Sequence, residues 1–162
     1  MNLPHLHLML NHVPVLGTVF GLALLAWGSW RQNVSLQRAA LVTFIVSALI
    51  AIPVYFTGEP AEDAVERLAG VTENAIESHE AAALISLIAV ELLGVIGLAG
   101  LLLARSRFNP TIVMRSALAV ALVTAGLMAW TANLGGRIRH SELQAGGQRA
   151  PAGEHGRGDA GR

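Results

Sequence analysis

Four stretches of this chain stay apolar for about the length that a bilayer's hydrocarbon core demands, which leaves very few folds open. Crossing roughly 30 Å of hydrocarbon at about 1.5 Å per residue takes about 20 residues of α-helix. Lipid offers the backbone no hydrogen-bond partners, so a segment of this kind must pair its own N–H and C=O groups as a helix. The runs cover about 13–30, 39–56, 81–104 and 116–134. The expected fold is therefore all-α: four transmembrane helices in an antiparallel bundle spanning residues 1–142, followed by a Gly/Arg-rich tail, 143–162, without apolar pattern and expected to be disordered.

Punctuation supports these limits. Pro53 and Gly58 are expected to close the second run, Pro110 precedes the fourth, and Gly135-Gly136 is expected to end it. Trp27, Trp30, Tyr55 and Trp130 fall near run ends, where amphipathic rings sit at the membrane interface. Gly17-x-x-x-Gly21 in the first run, and Gly94, Gly97 and Gly100 in the third, permit close backbone approach. Packing within the chain is the first reading of these motifs; a homodimer is the second.

Composition excludes several classes. The chain is 53% apolar and only 14% charged, too greasy for an ordinary soluble domain. Cysteine is absent, which rules out disulfides, thiolate metal sites, iron–sulfur clusters and covalently attached haem. All basic side chains are arginines, and their scatter gives no nucleic-acid-binding patch. No nucleophile–base pair or phosphate loop marks an enzyme.

The short loops predict orientation. Arg31 and Arg38 flank the first connection, and Arg105, Arg107 and Arg115 the third. The middle connection carries Arg67 against seven acids, Glu59, Glu62, Asp63, Glu66, Glu73, Glu77 and Glu80. The positive-inside rule puts the first and third connections in the cytoplasm and both termini outside a cytoplasmic (inner) membrane, although Arg137 and Arg139 count the other way. The first run reads as a span rather than a cleaved signal, since no positive charge precedes it. Within the middle connection a short helix is expected from Pro60 to about Leu68, and Thr72 is expected to cap a second that continues through His79 into the third span.

Glu91 lies near the middle of the third run, where a charge costs roughly 3 kcal/mol or more. It reads as a proton-relay group, or as a protonated acid bonded to Ser47 or Thr124 at similar depth.

The threading puts all six histidines on the outer side. His12, His79 and His140 lie beside the ends of three spans, while His155 belongs to the tail. His12 with His79 or His140 would supply the two axial ligands of a b-type haem. His5, His7, His12, His79 and Glu80 offer instead a donor set for copper or zinc. On one helix from Pro4, His7 would point about 140° from His12, and Pro14 would kink that helix; alternatively Asn11 caps a fresh helix with Pro14 in its first turn. His79-Glu80 begins like a zinc-protease helix, but Ala83 stands where the second histidine is needed.

His7 and His12 five apart, Pro14, Pro53-Val-Tyr-Phe-Thr-Gly58, His79 and Gly135-Gly136 together resemble a broad bacterial family of four-helix integral membrane proteins of unknown function. The likeness covers roughly residues 3–142 and departs from the commoner pattern at Leu8 and Asn11. It implies the four-helix topology and a shared outer histidine site, and no activity. Three functions are expected: electron transfer or metal handling, with lipid and a periplasmic redox protein as neighbours; a non-catalytic subunit that docks another membrane protein; or a small transporter using Glu91.

Overall fold

The computed structural model describes residues 3–58, 72–103 and 109–148, with side chains over 6–58, 72–103 and 109–137. Its elements are α1 (Leu3–Leu10), α2 (His12–Trp30), α3 (Val34–Phe56), α4 (Glu73–Leu102) and α5 (Pro110–Gln148), and no strand occurs among the described residues. The four long helices are each apolar and long enough to cross a membrane. The helix expected at 60–68 lies outside the described residues, as does the tail from 149 onward.

Each helix packs on its neighbours in sequence, and α2 closes the ring against α5. The contacts run antiparallel: Gly17, Gly21 and Gly28 of α2 meet Ser47, Phe44 and Leu36 of α3 in that order. Gly94 and Gly97 of α4 likewise meet Ala48 and then Leu41. The buried core is built of Leu25, Ala40, Leu41, Phe44, Leu93, Ala117 and Ala121 at one end and of Ala48, Ala51, Val90 and Met128 nearer the other. So many small residues are the rule where helices associate in lipid, because close van der Waals packing replaces the hydrophobic drive available in water. Leu16, Phe20, Leu49, Ile88, Val95, Leu122 and Val123 point outward, an apolar surface suited to lipid contact.

Local chemistry sets the ends. α2 stops in a Schellman motif: the Asn33 N–H donates to Gly28 O at 2.8 Å and the Gln32 N–H to Ser29 O at 3.3 Å, with Gln32 left-handed at φ 52°. The Asn33 side chain then caps α3 by accepting from the Leu36 N–H at 3.1 Å. α1 and α2 are separated by Asn11 alone, which keeps helical backbone angles and makes no side-chain cap. Pro14 therefore sits in the first turn of α2, as one of the two readings expected, but without the cap that reading invoked. Thr72 does occupy the cap position of α4, yet its hydroxyl makes no cap bond, and its backbone carbonyl accepts from Ala75 and Ile76 instead.

Two expected stops do not stop the chain. Pro53 lies inside α3, which continues to Phe56, and α5 runs through Gly135-Gly136 to Gln148. A proline near a helix end removes one hydrogen bond, and each interior glycine costs about 1 kcal/mol. Neither is enough to end a helix that neighbours hold in place.

Candidate functional site

One end of the bundle, the histidine mouth, gathers α1, the end of α3, the start of α4 and the later turns of α5. His7 reaches from α1 to the last turn of α3, where its Nδ1 donates to Val54 O at 3.0 Å and lies 3.3 Å from Thr57 Oγ1. The last carbonyls of a helix have no partner within it, so an imidazole arriving from another element fills that need. Thr57 adds to the same turn, with its N–H and hydroxyl both directed to Pro53 O.

His79 makes the corresponding contact on the other side. Its Nδ1 donates to Thr131 O of α5 at 3.2 Å. That carbonyl belongs to the body of a helix, and the residue one turn on is Gly135. A Cβ built on Gly135 would stand 3.1 Å from His79 Cε1. The missing side chain is what lets the ring reach the carbonyl. Thr131 also bonds Ser86, two turns along α4 from His79, through hydroxyls 2.8 Å apart.

A carbonyl oxygen only accepts, so both rings carry a proton on Nδ1, and in the neutral form each presents the Nε2 lone pair outward from the contact. His7 and His79 thus lie at the same end of the bundle although they are 72 residues apart in the sequence.

The remaining candidates are placed differently. His12 is exposed, and its Nδ1 donates one turn back to Leu8 O at 3.0 Å. The helical offset between His7 and His12 explains why only one of them turns inward. His5 and His140 sit on α1 and α5, and their side chains lie outside the described residues. Among the described residues no group of three His, Cys, Asp or Glu assembles to hold a metal ion. Asn11 Oδ1 is buried without a hydrogen-bond partner among the described residues.

Glu91 is separate from this site. It lies 12 residues beyond His79 on the same helix, or about 18 Å along the axis. Neither expected hydroxyl reaches it: Ser47 donates to Thr43 O at 2.9 Å and faces Gly17 of α2, while Thr124 donates to Val120 O and Ala89 O. Glu91 Oε1 is buried with no hydrogen-bond partner among the described residues. Removing a hydrogen-bonded buried acid would cost about 1–3 kcal/mol, whereas Glu91→Leu is expected to leave the bundle at least as stable as the native chain. Reversible unfolding in sodium dodecyl sulfate measures this directly, and a clear loss would reveal a partner for the carboxyl.

Sequence reasoning singled out His12, His79 and His140 as haem ligands and gave His7 only within a copper or zinc donor set, and it missed what orients His7 and His79. Val54, Thr57, Thr131 and Ser86 carry no motif of their own, and two of these contacts use backbone carbonyls, which no residue type announces. The one usable signal was Gly135, read from the sequence as a helix stop rather than as room for a ring. No family model, curated protein or solved structure matches the chain.

Proposed function

We propose that the His7–His79 pair ligates a b-type haem through the two Nε2 atoms, making the chain an electron-transfer protein of the cytoplasmic membrane. The observation that carries this reading is the anchoring of both Nδ1–H groups on carbonyls of neighbouring helices. Ligating histidines are held in this way, because the second bond fixes the tautomer, orients the ring and raises the basicity of the ligand nitrogen. Donor count favours haem over a bare ion. Copper or zinc asks for three or four protein ligands, whereas iron in a porphyrin needs only two axial ones. In this reading the arginine-bearing connections face the cytoplasm, the histidine mouth faces outward, and a periplasmic redox protein is the electron partner.

Absorption spectra of the detergent-purified chain, oxidised and reduced, test it. A Soret band is expected that is lost in His7→Ala and His79→Ala, persists in His12→Ala, and shifts in Gly135→Ala as the added methyl crowds the His79 ring. A colourless protein ends the haem reading. If that protein carries stoichiometric copper or zinc, the same mouth handles metal with a further donor. If it carries none, the docking subunit replaces both.

A further inference from the structure

The opposite end of the bundle holds a cleft of about 650 Å³ to which all four long helices contribute. Its rim carries Arg38 from α3 and Arg115 from α5, with Gln32 and Gln37 beside them, and its deeper wall includes Leu41 and Leu118. Both arginines are exposed, and neither makes an ion pair or hydrogen bond among the described residues. Intramolecular neutralisation is also remote by sequence, because no Asp or Glu occurs in residues 1–58 or 92–141. Two guanidinium groups therefore border one amphipathic cleft without a counter-charge among the described residues.

Aromatic residues at this end of the bundle bear on the ligand. Trp27 and Trp30 pack edge to face at 5.0 Å at the same end, and the Arg31 guanidinium lies 5.8 Å from the Trp27 ring centroid. Exposed tryptophans stacked with an arginine mark the headgroup layer, where an indole has both apolar and polar surroundings. The anion most abundant at the headgroup layer is a lipid phosphate. Guanidinium is the side chain best matched to phosphate oxygens, since its planar fork donates to two of them at once. The apolar wall below the rim suits the glycerol and first methylenes of the same molecule.

We propose that this cleft binds the phosphodiester headgroup of an anionic membrane lipid between Arg38 and Arg115. The site is independent of the histidine mouth and stands whether or not that mouth takes haem.

The test uses the full chain in detergent micelles containing either phosphatidylglycerol or phosphatidylcholine, with bound lipid counted by native mass spectrometry. One phosphatidylglycerol per chain is expected to be retained, at least about tenfold more tightly than phosphatidylcholine. Retention should fall in Arg38→Gln and Arg115→Gln singly and vanish in the double variant, while Arg31→Gln, outside the cleft, keeps it. Circular dichroism and gel filtration identify any variant that misfolds, in which case the single variants decide. Equal retention of the two lipids overturns the proposal. So does phosphatidylglycerol retention that survives both substitutions. Displacement of the lipid by millimolar inorganic phosphate would overturn it too, and would assign the arginines to a soluble anion.

Discussion

Gly97→Leu should force α3 and α4 apart. A Cβ on Gly97 would lie 2.9 Å from the carbonyl oxygen of Leu41 and 3.3 Å from Ile45 Cγ1. The first contact is with backbone, which cannot rotate aside as a side chain can. Gly97→Ala alone is expected to cost about 1–3 kcal/mol, and the larger substitution more, because the interface gains nothing in return when lipid already solvates leucine. Unfolding in mixed micelles of increasing sodium dodecyl sulfate content measures the loss. Gly126→Ala is the control: nothing lies within 4 Å of a Cβ there, so the better helix propensity of alanine should make it neutral or stabilising by up to about 1 kcal/mol. Equal effects at both glycines would mean that helix propensity, rather than the close approach of α4 to α3, sets the outcome.

The contact between Gly21 and Phe44 should behave as a coupled pair. Phe44 is fully buried, and its ring edge comes to 2.5 Å from a Cβ placed on Gly21. Gly21→Ala therefore overpacks a ring with no room to retreat, at an expected cost of about 1–3 kcal/mol. Phe44→Leu alone leaves a void in the larger core cluster and is destabilising as well. Combined, the added methyl occupies part of the vacated space. The double variant should be less destabilised than the sum of the singles by about 1 kcal/mol or more, which a double-mutant cycle reads out. Strict additivity would place the two residues in separate environments.

The sequence was informative about membrane-spanning elements and much less so about the site. The runs at 39–56 and 81–104 predict α3 and α4 because both the length and the apolar character of a spanning helix are dictated by the bilayer. The same logic made Pro53 and Gly135-Gly136 misleading, since a breaker lowers local helix stability while neighbouring helices supply the compensation. At the histidine mouth, composition pointed to histidine as the candidate residue type. It did not distinguish His7 from His12, because that choice depends on how α1 is rotated against α3.

By itself, then, the sequence determined the number of long helices, their approximate limits, the glycines through which they approach, and the separation of acidic from basic connections. These follow from free energies that act locally: transfer of side chains into hydrocarbon, pairing of backbone groups within a segment, and steric freedom at glycine. Only the tertiary structure decided that His7 and His79 lie at one end of the bundle, that Ser47 and Thr124 bond other groups than Glu91, and that Arg38 and Arg115 border one cleft. Each of those depends on the rotation and axial register of one helix against another. Such choices are set by shape complementarity across the whole interface, which is not encoded in any single run of residues.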